Sequence, residues 1–218
     1  MEEALVKGLD ELGCAYDSQS LSKLSAYVGL VQKWNERTNL ISRKDIKRLL
    51  ERHLLDSLSV EGFLNDGNVI DIGSGAGFPG VPLAICRPDL EFTLVERSEN
   101  RSRFLRLARL ELNLENVDCL QKDLTSKDAL DKKFGTALAR AVSDPLTIWR
   151  ICQASLTDNG KLVFFLSTLP NESLGSLLEL VEGIKGVVSR IQDMHIPGLN
   201  NVHKILIIEK NDAHYFDS

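Results

Sequence analysis

The chain has 218 residues, 43% of them hydrophobic, and a formal net charge of −5. That length buries a full core with room for an appendage to one α/β domain, and the acidic balance excludes a generally basic nucleic-acid binder, so any contact with a polyanion has to come from local patches. Cys14, Cys86, Cys119 and Cys152 stand far apart without a C-x-x-C pair, which excludes a dense disulfide framework or a spacing-defined zinc site and predicts reduced core thiols. The first residues, Met1-Glu2-Glu3-Ala4-Leu5, lack the basic-then-apolar pattern of a secretory leader, and no apolar run approaches bilayer length, so a cytoplasmic protein with no membrane partner is expected.

From Leu5 to about Phe63 apolar residues recur at three- and four-residue steps, as in Leu21, Leu24, Val28, Val31 and Trp34, which predicts a helical N-terminal extension over residues 1–65. Trp34 lies on the apolar face and belongs to the core rather than to a base-stacking platform. Asn65-Asp66-Gly67-Asn68 is turn-rich, and after it short apolar runs alternate with helical patterns, so an α/β domain occupies 66–218. Strands are predicted at 69–72, 92–96, 117–121, 136–140, 162–166, 187–195 and 204–209. This alternation implies a seven-stranded, mostly parallel sheet with helices on both faces and a ligand beyond the carboxyl ends of the strands.

The most informative stretch is Asp71-Ile72-Gly73-Ser74-Gly75-Ala76-Gly77-Phe78-Pro79-Gly80, directly after Val69-Ile70. A buried strand running into alternating glycines lets the backbone turn tightly and approach a ligand closely. Glu96 ends the next apolar run, where an acid can accept hydrogen bonds from both ribose hydroxyls of a bound adenosine. Gly73, Gly75 and Gly77 give G-x-G-x-G, whereas Gly75, Gly77 and Gly80 give the G-x-G-x-x-G of dinucleotide enzymes. Asp71, two residues before the first glycine, favours S-adenosylmethionine: its ammonium needs an acceptor, direct or through water. With no pyrophosphate to seat on a helix N-terminus, the loop can be followed by an apolar wall at Phe78-Pro79.

Several blocks resemble the ribosomal RNA small subunit methyltransferase G family, also called glucose-inhibited division protein B. They are Trp34-Asn35-Glu36-Arg37-Thr38-Asn39-Leu40, Arg52-His53-Leu54-Leu55-Asp56-Ser57-Leu58, Asp71 to Pro82, Arg101-Ser102-Arg103-Phe104-Leu105 and Arg140-Ala141-Val142. The resemblance implies a Rossmann-like class I S-adenosylmethionine-dependent methyltransferase. It would methylate N7 of a guanosine in the decoding-region stem-loop of 16S rRNA, within the 30S subunit or an assembly intermediate. It also places cofactor contacts at Gly73, Phe78, the Leu124-Thr125 backbone and Arg140. Asp123-Leu124 follows the third strand, where an adenine ring would lie, although Asp and Thr also begin helices as caps. In the family the fifth strand runs into a lysine-glycine motif; here Ser167-Thr168-Leu169-Pro170 follows, and Lys204 is a substitute source of positive charge.

N7 of guanine carries a free lone pair, so methyl transfer needs orientation rather than a general base, and no catalytic residue is assigned. Arg140 is the best supporting side chain, for a cofactor carboxylate or a target phosphate; its structural alternative is an ion pair with Asp144. His53 and Asp56, three apart on a helix, are expected to form a polar pair docking the extension. His195, His203 and His214 have no ligand-like spacing and receive no role. Arg52, Arg101, Arg103, Arg106 and Lys204 are the candidate RNA contacts, although a solvated helix face is the commoner meaning of a charge run. A monomer is expected. Two other functions fit the motifs: a catalytically inactive S-adenosylmethionine-binding ribosomal protein and an NAD-dependent oxidoreductase.

Overall fold

The computed structural model describes residues 2–126, 128, 130–141, 144–166 and 187–210. Seven strands form one sheet: β1 (Asn68–Ile72), β2 (Glu91–Val95), β3 (Val117–Leu120), β4 (Phe134–Arg140), β5 (Leu156–Leu166), β6 (Val187–Met194) and β7 (His203–Lys210), in the order β3-β2-β1-β4-β5-β7-β6. The first five are parallel, and β7 runs antiparallel to both β5 and β6. The order reverses between β1 and β4, the two strands that leave the crevice a doubly wound sheet offers a ligand. Strand positions agree with the sequence to within a residue or two except at β5, which begins at Leu156. Thr157 to Gly160, outside the strand predicted at 162–166, join it through a bulge, since the register passes from Phe134↔Leu156 directly to Thr136↔Lys161.

Alternating side chains divide the apolar residues of the sheet between two cores. Val69, Phe92, Leu94, Leu138 and Val163 face one side and Ile70, Val95, Ala137, Ala139, Leu162 and Phe164 the other. Helix α6 (Pro145–Cys152) covers the second side with Ile148, Trp149 and Cys152; it starts on an Asp144 side chain that caps Thr147 N–H, with proline at the first helical position. The first side is covered by α4 (Gly80–Cys86), α5 (Glu99–Glu111) and the N-terminal helices α1 (Glu2–Leu12) and α2 (Ser18–Asn35).

The extension is helical but not continuously so. A reciprocal Asp17–Ser20 capping box starts α2, and after it residues 36–45 turn rather than coil, tied by Asn35 Oδ1 accepting from Ile41 N–H at 2.9 Å. A π-helical turn, Leu50–Leu55, then leads into the short α3 (Asp56–Leu58). Leu24, Tyr27, Val28, Val31, Leu54 and Leu55 enter the same apolar core as α4, α5 and the sheet, and Trp34 packs against Phe104 with ring centroids 5.7 Å apart. All four cysteines are free thiols, Cys14 and Cys152 buried. No helix among the described residues is long and apolar enough to cross a membrane.

Candidate functional site

At the carboxyl end of β1 the chain turns at once. Gly73 and Ser74 both donate N–H to Val95 O, at 2.8 and 3.0 Å, which lays the turn across the end of β2. Gly73, Gly75 and Gly77 hold φ of +73°, +59° and +89°, conformations that residues with a Cβ adopt only under strain. A Cβ on Gly75 would meet nothing closer than 3.8 Å, whereas one on Gly77 would stand 2.7 Å from Tyr27 Oη. The turn is thus open on the Gly75 side and packed shut on the Gly77 side.

Two buried acids frame it. Glu96 accepts Gly75 N–H on Oε2 at 2.9 Å and Ser98 N–H on Oε1 at 2.7 Å, so it braces the turn while each oxygen keeps a second lone pair. Asp71 lies inside: Oδ2 accepts Gly80 N–H at 3.1 Å and Oδ1 is buried without a partner among the described residues. Burial pushes Asp71 up to about 7, against the opposing Gly80 hydrogen bond.

The N-terminal helices hold the turn from the other side. Tyr27 Oη donates to Ala76 O at 2.5 Å, and its ring lies 5.2 Å from that of Phe78. His53 also packs on Phe78, centroids 5.3 Å apart. The Phe78 ring is buried and docks the extension onto the loop. Tyr27 carries a contact that helical periodicity alone marks only as core.

Arg140 ends β4, one residue beyond the Ile72↔Ala139 pair, and so stands level with Gly73. Its Nη2 donates to Asp56 Oδ2 at 2.9 Å and to Arg52 O; Nη1 is buried without a partner among the described residues. Burial draws its pKa down from the ordinary value, and Asp56 and then Asp71 oppose that. Asp56 Oδ1 meets His203 Nδ1 at 2.7 Å. Two expectations are corrected here. Arg140 pairs with Asp56 while Asp144 caps α6, because Asp144 lies one helix start away and Asp56 is delivered directly over the strand end. Asp56 docks the extension, but through His203 and Arg140 rather than His53, whose Nε2 is buried without a partner among the described residues and whose pKa burial lowers to about 4. The wider π turn breaks the three-residue pairing assumed for a regular helix. His203 went unread because its partner is 147 residues away.

Leu124 packs against the second core. Thr125 is exposed, its N–H and Oγ1 both directed to Asp128 Oδ2 at 2.7 and 2.8 Å. Of the basic candidates, Arg52 pairs with Asp45 at 2.6 Å, Arg103 with Glu99 at 2.5 Å and Lys204 with Asp193 at 2.5 Å, and Arg106 reaches Gln121 at 3.3 Å. Arg101 is exposed on the first turn of α5, beside the carboxyl edge, with no ion pair among the described residues. Arg52, Arg101 and Lys204 border that edge, whereas Arg103 and Arg106 follow α5 away from it. Residues 167–170, and His214, lie outside the described residues. A polar groove of about 670 Å³ at the amino edge, lined in part by Asn65, Asn159, Lys161 and Glu209, is remote from all of these groups.

A doubly wound sheet with an antiparallel final strand, a glycine turn after β1 and an acid after β2 is the Rossmann-like architecture of class I S-adenosylmethionine-dependent methyltransferases. In fold the chain is similar to the S-adenosylmethionine-dependent O-methyltransferase of Thermotoga maritima, with a TM-score of 0.57 at 16% identity, covering 84% of this chain and 71% of that one. A family model described as rRNA small subunit methyltransferase G matches residues 20–197. The chain is 32% identical over 200 residues to the ribosomal RNA small subunit methyltransferase G of Methylobacillus flagellatus, covering 92% of this chain and 94% of that protein. It is 35% identical over 184 residues to the corresponding protein of Nitrosococcus oceani, covering 84% and 86%. The chain belongs to the rRNA small subunit methyltransferase G family. Its cofactor is accordingly S-adenosylmethionine, and the dinucleotide reading of the glycines falls away.

The residues fit that cofactor. The open side of Gly75 admits a close approach, Glu96 offers spare lone pairs to a pair of hydroxyls, and the partnerless Asp71 Oδ1 and Arg140 Nη1 are an acceptor and a donor of the kind an amino-acid end with ammonium and carboxylate requires.

Proposed function

We propose that the chain transfers a methyl group from S-adenosylmethionine to N7 of a guanosine in the decoding-region stem-loop of 16S rRNA, on the 30S subunit or an assembly intermediate. It would do so as a cytoplasmic monomer. The observation that carries this reading is the family match over residues 20–197, which takes in nearly all of α2, the π turn and the glycine turn they hold.

The bound cofactor supplies an electrophilic methyl carbon on a sulfonium. On the protein side, Gly73 and Gly75 admit the ligand to the turn, Glu96 takes the ribose hydroxyls, and Leu124 with the Thr125 backbone borders the adenine. For the Thr125 N–H to read the ring it must leave Asp128, to which it is bonded at 2.7 Å. Asp71 and Arg140 answer the ammonium and the carboxylate. N7 has no proton to lose, so the work of these residues is alignment, and the rate gain comes from entropy already spent in holding two reactants in line. Arg52, Arg101, Arg103, Arg106 and Lys204 supply contacts to RNA phosphate.

Labelled methyl transfer to 30S subunits from cells lacking the protein, followed by nucleoside analysis, tests the reading. Labelled 7-methylguanosine that disappears with Arg140→Ala is the expected result. A different labelled nucleoside would overturn the target. No label despite cofactor binding would make the chain a binding protein.

A further inference from the structure

Three segments distant in sequence meet over the carboxyl end of β4, and what they share is one carboxylate. Asp56, almost fully buried, divides its oxygens between Arg140 Nη2 (2.9 Å) and His203 Nδ1 (2.7 Å). The same Arg140 nitrogen also donates to Arg52 O. That carbonyl belongs to the π turn, where hydrogen bonding is displaced from the regular four-residue step and backbone groups are freed for other partners. The guanidinium is thus clamped along one edge by a charge-assisted bond and a carbonyl, with the Phe165 ring 5.7 Å from Cζ. A planar fork fixed on one nitrogen has its other nitrogen fixed too. That nitrogen, Nη1, is buried and makes no bond to any described residue, beside a strand end level with Gly73.

A buried guanidinium N–H pair without a partner costs free energy unless a ligand fills the place. Arg140, left to its own rotamers, could satisfy itself elsewhere; the clamp prevents this.

We propose that Asp56, supported by His203, is a positioning residue that aims the free edge of Arg140 at the carboxylate of the cofactor's amino-acid end, so that the N-terminal helices complete the methyl-donor site. This rests on the reading of Arg140 as a cofactor anchor. His203 acts through Asp56: it occupies the second oxygen and keeps the carboxylate from rotating off the guanidinium. Asp56 touches no reacting atom, and its effect is confined to ligands that carry the amino-acid end.

The test compares S-adenosylhomocysteine, which has that end, with 5′-methylthioadenosine, which lacks it, by calorimetric titration of the full chain. Asp56→Asn should weaken S-adenosylhomocysteine about tenfold or more, the scale of one charge-assisted hydrogen bond, while 5′-methylthioadenosine changes less than about threefold. Arg140→Met should show the same selectivity, and the double variant should be no worse than Arg140→Met alone, because both remove a single interaction. Equal losses for both ligands, no loss with Asp56→Asn, or additive losses in the double variant would overturn the proposal. If Arg140→Met leaves S-adenosylhomocysteine binding unchanged, the anchor reading itself fails and the proposal with it; if Arg140→Met loses affinity but Asp56→Asn does not, only the proposal fails. His203→Ala, at a part-exposed position at the start of β7, removes one partner without opening the core and serves where Asp56→Asn folds poorly; a selective loss of about threefold is expected, and no selectivity counts against the proposal.

Discussion

Asp71 is an acid almost wholly withdrawn from water. Its folded-state value, pushed up to about 7 chiefly by burial, lies above that of an unfolded aspartate, so the fold favours the protonated form. The sign follows: its contribution to stability is full below about pH 4, declines as pH rises towards 7 and is absent above that. Three pH units correspond to about 4 kcal/mol as an upper bound. Urea unfolding of the ligand-free wild type and of Asp71→Asn between pH 4 and 8 isolates this term, since other carboxyls titrate alike in both. The wild type should lose stability relative to the variant across that range; parallel curves would mean that Asp71 is ionised in the fold. Glu96 gives a second prediction. It accepts two backbone N–H groups, and Glu96→Gln can replace at most one of those acceptors, so S-adenosylmethionine affinity should fall about tenfold, the cost of one charge-assisted bond. An isothermal titration with unchanged affinity would remove Glu96 from the site.

At the level of elements, the glycine turn is not self-supporting. Tyr27 of α2 caps the Ala76 carbonyl, and the space Gly77 leaves empty is the space that hydroxyl occupies. Tyr27→Phe orphans a buried carbonyl and should cost about 1–3 kcal/mol in denaturant unfolding; a null effect would mean that the carbonyl finds another donor. The same interlock explains what the sequence could convey. Strand identity, the glycine turn and Glu96 are local signals, carried by β-branched runs and by residues a few positions apart. Tyr27, His203 and the true partners of Asp56 and Arg140 are set by contacts across 49 to 147 residues, and no short pattern encodes a distance of that kind. The W-N and R-H-x-x-D-S blocks pointed to the right segments without saying what they touch. The bulge in β5 was missed for the opposite reason: its residues carry a strong local turn signal that the neighbouring strand overrides.

Over the whole molecule, charge and core make separate predictions. The basic side chains that border the carboxyl edge sit on an acidic protein, and most of them already face a carboxylate within it, so RNA contact has to compete with those pairs. Arg101, without an ion pair among the described residues, is the one whose removal should most directly lower RNA affinity and reduce the salt slope by about one. An Arg101→Ala slope equal to wild type would place the RNA elsewhere. The core, in turn, includes α1 and α2, so a chain shortened to begin at residue 36 would bare the face formed by Phe104, Leu105 and Val81. It should lose cooperative unfolding together with cofactor binding; a shortened chain that binds S-adenosylmethionine normally would make the extension a separate domain.

β7 lies between β5 and β6 although it follows both in the chain, and it brings His203 to Asp56 across 147 residues. Pairings that enclose so much chain wait on loop closure and on the strands they insert between. The glycine turn, whose partners Val95, Glu96 and Tyr27 all lie within 49 residues of it, encloses far less chain and can therefore form during folding before the place it serves is finished. On the proposed role of Asp56 and His203, full donor affinity on refolding should appear only with arrival of the last strand, and a chain arrested before that step would hold its signature motif intact while binding the donor more weakly.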